Sequence, residues 1–111
     1  MKLTITEDAL KELKQVKTSN HTALRLYYDT AGMGCGVNGQ PTIRFTDLVR
    51  EEKDETVENE DFHVIIDKQQ AVFFQKDMKL AFTKGTFRLS SPEGILTPII
   101  PVASVTKEVY L

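Results

Sequence analysis

The chain has 111 residues, which fits one domain and leaves little room for a second. Its 41% apolar residues can fill one ordinary core, and a net charge of −2 argues against a dedicated nucleic-acid binder, which carries a strong basic excess. No stretch approaches the roughly 20 apolar residues that span a bilayer, and the single cysteine, Cys35, rules out an internal disulfide, so the expected setting is a reducing cytoplasm.

The opening "MKLTITEDAL" meets Glu7 and Asp8 before any long apolar run and is not read as a signal peptide. Residues 2–5 read as a short strand. Thr6 can cap the helix that follows, with Glu7 and Asp8 set against the positive end of its dipole. Leu10, Leu13 and Val16, with Ala9, make an apolar stripe at helical spacing, which predicts a helix over 6–17. "KTSNHT" is a polar break that holds His21, read as solvated. In "ALRLYYD", Leu24, Leu26 and Tyr28 alternate with Arg25, Tyr27 and Asp29, the pattern of a half-buried strand. Tyr27 and Tyr28 read as packing residues. Asp29 and Asp47, on either side of the glycine loop, read as solvated.

Beyond that loop, Pro41 precedes "TIRFTDLV", where Ile43 and Phe45 share one face of another strand. Residues 50–61 then hold seven acidic and two basic residues, against nine and twelve in the rest of the chain. This segment reads as a solvated loop or linker between strands, with an acidic docking face as the alternative. Its few apolar residues cannot offset the entropy of ordering, so 51–61 is expected to be mobile and dispensable for folding. "FHVIID" alternates through Phe62, Val64 and Ile66 and leaves His63 on the opposite, surface side. "QQAVFFQ" fits a short helix or a strand. "MKLAFT" and "FRLS" are strands joined at "KGT", with Gly85 supplying the turn. The three prolines of "SSPEGILTPIIPVASV" confine it to an edge strand or an extended loop. Six or seven short strands and one helix make a β-rich α+β domain and not an alternating βαβ one.

The stretch "GMGCGVNG", residues 32–39, carries four glycines around Cys35 and spells G-x-G-x-x-G from Gly34 to Gly39. A dinucleotide fingerprint needs a helix to begin within the glycines, because its N-terminus holds the pyrophosphate. Here Gln40-Pro41 and a β-alternating run follow, so that reading fails. No Gly-Lys-Ser/Thr follows either, so this is not a P-loop. Two readings stand on these residues. One is a glycine-rich turn between strands 24–29 and 42–46. The other is a loop whose backbone approaches something closely and turns its N–H groups toward an anionic sulfur or an oxyanion.

The order and spacing of these segments resemble the HesB-like, A-type iron–sulfur cluster assembly family. The likeness runs through "LTITEDALKEL", then "LRLYYDTAGMGCGVNG", the acidic stretch, the strand "HVIID" and the hairpin "MKLAFTKGTFRLSSP", over about residues 2–92. It implies a β-rich α+β half-barrel of short mixed strands with one N-terminal helix, as a single HesB-like domain over 1–111. It also implies a carrier of iron or of an iron–sulfur cluster and not an enzyme. Cys35 would be its metal ligand, set among Gly32, Gly34 and Gly36. The implied partners are iron–sulfur assembly or acceptor proteins and a second copy in a homodimer, with no nucleic acid and no membrane.

Two departures stand out. The family places its loop cysteine where this chain has Met33, two residues before Cys35, and the family's Cys-Gly-Cys tail is replaced by "TPIIPVASVTKEVYL". Clusters are normally held by four thiolates, sometimes with histidine replacing two, so one cysteine per chain leaves half the coordination of a dimer's cluster to other groups. An interaction module on the same fold, without cluster binding, is the alternative reading. A thiol enzyme would need a histidine placed against Cys35, and neither His21 nor His63 has a spacing that supplies one.

Overall fold

The computed structural model describes residues 1–17, 22–29 and 39–107. Strand β1 (Lys2–Ile5) turns at Thr6 into helix α1 (Glu7–Val16). The Thr6 hydroxyl accepts the Ala9 N–H at 3.3 Å, satisfying one of the N–H groups that a helix start leaves unpaired. Ala9 and Leu13 are buried, with Leu10 and Val16 packed partly against the same core. The apolar stripe therefore faces inward, as its spacing predicts.

Two four-stranded sheets follow. One has the order β3-β2-β5-β4, from β2 (Ala23–Asp29), β3 (Gln40–Thr46), β4 (Asp54–Val57) and β5 (Val64–Asp67). The other is β1-β6-β7-β8, with β6 (Asp77–Thr83), β7 (Thr86–Ser91) and β8 (Gly94–Pro101). Pairs β1–β6 and β2–β5 are parallel and the remaining pairs antiparallel. The sheets meet where the Leu3 N–H donates to the Glu58 carbonyl at 3.0 Å and the Glu58 N–H to the Met1 carbonyl at 3.0 Å. Leu24, Leu26, Ile43, Val64 and Ile66 of the first sheet share one core with Leu3, Leu80, Phe87, Leu89 and Ile100 of the second. The fold is thus α+β and dominated by strands. Among the described residues, no helix is long and apolar enough to cross a membrane.

Local chemistry explains the joints. Lys84 and Gly85 both have positive φ, +52° and +81°, between the paired Thr83 and Thr86. That is the two-residue turn whose twist matches a hairpin. Strand β8 lies at a sheet edge, where Pro98 and Pro101 remove no ladder hydrogen bond that a central strand would need. Its register against β7 shifts on either side of Leu89. The ambiguous "QQAVFFQ" contains a 3-10 turn, Ala71–Phe73, and a short helix α2 (Val102–Val105) follows β8.

The acidic stretch departs from expectation. Residues 54–57 form β4, paired along their length with β5 from Asp54↔Asp67 to Val57↔Val64, and Val57 is buried. Residues 54–57 are therefore a strand and not part of a linker, while 51–53 and 58–61 lie outside the named strands, and the described strands number eight, not six or seven. One inward valine and one inward carboxylate suffice to dock it, because the carboxylate meets a buried cation.

Candidate functional site at the base of the glycine loop

Cys35, Gly32, Gly34 and Gly36 lie outside the described residues, as does His21. The two strands that lead into and out of this segment are described, and their pairing runs from Ala23↔Thr46 to Asp29↔Gln40. The base of the loop is thus the end of a seven-residue antiparallel ladder.

Its side chains are tied on both faces. On one, Arg44 Nη2 donates to Asp29 Oδ2 at 2.6 Å, and its guanidinium sits 5.1 Å from the centre of the Tyr27 ring. Asp29, expected to be solvated, is therefore an ion-pair partner, and Tyr27 is buried as a packing residue. On the other face, Tyr28 Oη accepts the Gly39 N–H at 2.7 Å. The β2–β5 pairing ends at Leu26↔Ile66, and the Tyr28 N–H beyond it donates to Gln70 Oε1 at 3.1 Å. The Tyr28 ring stacks on Phe73, with centroids 3.7 Å apart and planes 9° from parallel.

Three positions before Tyr28 in the same strand lies the most buried cation among the described residues. Arg25 is fully enclosed, although its alternation with Leu24 and Leu26 places it on the side expected to face out. Its Nη1 and Nη2 donate to Asp54 Oδ1 and Oδ2 at 2.7 and 2.6 Å, and Nη2 also donates to the Leu48 carbonyl at 2.9 Å. Asp54 further accepts the Arg50 N–H at 2.7 Å and Arg50 Nη2 at 3.1 Å. Arg50 Nη2 reaches on to Asp67 Oδ2 at 2.7 Å, while Asp67 Oδ1 accepts the Gln69 N–H at 2.7 Å. Burial works against the Asp54 charge. The hydrogen bonds from Arg25 and Arg50, and the Arg25 charge, outweigh it and hold this carboxyl far below the usual range. Asp67 is lowered for the same reasons, burial opposing and the Gln69 N–H and Arg50 favouring its charge.

The chain Arg25–Asp54–Arg50–Asp67 ends beside Gln69 and Gln70, and so beside the Tyr28 contacts. Sequence reading missed it because Arg25 and Asp54 sit 29 residues apart and nothing local sets Asp54 apart from its acidic neighbours. The alternation of 24–29 puts Arg25 on the face read as outward, so no local signal marked it as a buried charge. Among the described residues, no three His, Cys, Asp or Glu side chains converge to hold a metal ion. His63 and Asp47 are exposed, and Asp29 is engaged by Arg44.

The geometry can be set beside known proteins. A family model described as iron-sulphur cluster biosynthesis matches residues 1–104. The protein YqkB of Bacillus subtilis (strain 168) is 31% identical over 101 residues, covering 88% of this chain and 94% of that one. A Lactobacillus acidophilus protein assigned to Fe–S biosynthesis has a similar crystal structure, with a TM-score of 0.70 at 18% identity over 95% of this chain and 93% of that one. The structure of IscA with its [2Fe–2S] cluster gives a TM-score of 0.60 at 14% identity over 88% of this chain and 98% of that one. At these identities the two solved structures speak for the fold, whereas the family model spans nearly the whole chain. The chain belongs to the iron–sulphur cluster biosynthesis family.

Proposed function

We propose that the chain takes up iron or an iron–sulfur cluster as cargo and hands it on, with Cys35 as the thiolate that holds it. The carrying observation is the match of the biosynthesis family over residues 1–104, a span that includes the chain's only thiol. The likeness to IscA, whose solved structure contains a [2Fe–2S] cluster, supports the choice of cargo. On this reading the protein works in the cytoplasm as a carrier and not as an enzyme. It acts as one domain over 1–111, and its partners are iron–sulfur assembly or acceptor proteins.

The ligand count shapes how the cargo is held. Four thiolates are the ordinary complement of a cluster, and this chain brings one. The described residues offer no converging set of His, Asp or Glu to complete it. Two copies related by a two-fold axis would bring two thiolates, and the remaining positions fall to small thiols or to the partner. Such cargo is held loosely, which suits transfer better than storage. With no side chains of their own, Gly32, Gly34 and Gly36 would leave such a thiol reachable and would free the backbone to turn N–H groups toward the sulfur.

The test is anaerobic reconstitution with ferrous iron and sulfide, read by visible absorbance and bound iron, on the wild-type chain and Cys35→Ser. The expected result is a labile, substoichiometric species that the substitution abolishes. Equal iron in both proteins removes Cys35 as the ligand. No iron in either leaves an interaction module on this fold.

A further inference from the structure

We propose that the cavity between the turns at 50–53 and 67–70 binds a small molecule through an oxyanion, a carboxylate or a phosphate group, set between Lys53 and Lys68. None of its residues is used by the cargo reading. The cavity holds about 460 Å³, inside the range of roughly 300–1,000 Å³ that small-ligand pockets occupy. Its walls are two turns closed by backbone bonds. On one side the Lys53 and Asp54 N–H groups both donate to the Arg50 carbonyl, at 3.1 and 2.7 Å; on the other the Gln70 N–H donates to the Asp67 carbonyl at 2.9 Å. Arg50 Nη2 on Asp67 Oδ2, at 2.7 Å, ties one turn to the other. The cavity is thus built before any ligand arrives.

Its charges divide unevenly. Arg25 and Arg50 are balanced by Asp54 and Asp67 in the buried chain of ion pairs. The lining keeps Lys53, Lys68 and Glu52, and none of these three forms an ion pair among the described residues. The Lys68 N–H donates to the Lys53 carbonyl at 2.9 Å, one rung past the Asp54↔Asp67 pair, so the two lysines stand opposite each other. Like charges so placed are destabilising. Residues 50–61 hold seven acidic side chains, yet no carboxylate comes to either lysine. Lys68 Nζ donates instead to the uncharged Glu52 carbonyl, at 3.4 Å. An oxyanion between the two ammonium groups relieves that repulsion. The amides agree with the sign. Gln70 Oε1 already accepts the Tyr28 N–H at 3.1 Å, so the NH₂ of Gln70 is the end left to donate. A lining of two ammonium groups and an amide donor suits a ligand group that only accepts.

The test titrates the metal-free chain, followed through its backbone amides by NMR at one pH, with sodium phosphate, sodium succinate and sodium chloride at matched ionic strength. Phosphate or succinate should move the amides of Lys53, Lys68, Gln69 and Gln70 along a saturating curve, while chloride moves them without saturation. Whichever of the two saturates at the lower concentration separates a phosphate source from a carboxylate one. Lys53→Gln and Lys68→Gln should each weaken that binding by up to about fivefold, as loss of an exposed charge pair does, and together by about tenfold. Lys79→Gln, exposed on β6 in the other sheet, should leave it unchanged. The thermal midpoint should be higher in saturating phosphate or succinate than in chloride for the wild type, and equal in both for the double variant. Shifts from phosphate and succinate that match those from chloride overturn the proposal, as does saturable binding that survives intact in the double variant.

Discussion

Arg25 and Asp54, 29 residues apart in the chain, meet in the interior through two parallel bonds of 2.7 and 2.6 Å. Neither side chain has contact with water beyond 1% of its surface. Removing one member of such a pair strands a buried charge and costs about 3–5 kcal/mol, whereas replacing both with apolar groups is often near neutral. Asp54→Asn and Arg25→Met should each lower the free energy of urea unfolding by about that amount. The double replacement Arg25→Met with Asp54→Leu should cost less than either single change. The Arg50 contacts to Asp54 keep it from being free of cost. A double variant that costs the sum of the two singles would show that the pair is not one unit.

Acid should expose the same network. Asp54 and Asp67 both have carboxyl groups held below the ordinary range, Asp54 by far the more. Between the folded value and the unfolded value near about 4, the unfolded chain binds more protons, so stability rises with pH there. The contribution is complete above about pH 5 and is lost as pH falls through the range of the folded carboxyls. Unfolding free energy measured from about pH 6 to 2 should fall steeply below about pH 4. Asp54→Asn should flatten that slope, since the group that titrates is gone.

How much of this could be read in advance follows the range of each signal. The Thr6 cap, the Ala9–Leu13 stripe and the turn at Gly85 act within a few residues, and each lies where its pattern places it. The prolines around β8 likewise mark an edge by chemistry visible in the sequence. Strand β4 could not be read, because what docks it is a through-space pairing of Asp54 with Arg25 inside a run of solvated acids. The candidate site follows the same rule. At the base of the glycine loop, the contacts of Tyr28 come from Gln70 and Phe73, some forty positions away, and no periodicity carries that.

Leu26 is fully buried at the centre of the β3-β2-β5 ladder, between Ile43 and Ile66. Leu26→Ala removes methyl groups that close-packed neighbours cannot collapse to replace, and should cost about 2–5 kcal/mol. Urea unfolding that shifts by less than about 0.5 kcal/mol, the range of an ordinary surface change, would contradict its place in the core.

Stability can also be gained. Lys84 holds a left-handed conformation, φ +52°, next to Gly85 in the β6–β7 turn. Side-chain-bearing residues other than Asn and Asp adopt that conformation at a cost of about 1–2 kcal/mol. Asn-Gly is the preferred pair for this turn. Lys84→Asn should therefore raise the unfolding free energy by about 0.5–1 kcal/mol, while Lys84→Val, branched at Cβ, should lower it.

The last prediction concerns the stoichiometry of the cargo. With one thiol per chain, a bridged cluster needs two copies whose loops face each other across a two-fold axis. Loading should therefore shift the protein toward the dimer, because a ligand that binds only the assembled form stabilises it by mass action. Analytical ultracentrifugation under anaerobic conditions should find a larger dimer fraction in reconstituted protein than in apo protein at the same concentration. A chelator should reverse the shift, and Cys35→Ser should show none. The bound amount should approach one cluster per pair of chains and no more. A loaded species that sediments as a monomer would place the missing ligands on small thiols alone, and the two-fold arrangement of the loops would then be wrong. Dimer content that is the same with and without metal, and unchanged in Cys35→Ser, would separate assembly from cargo altogether.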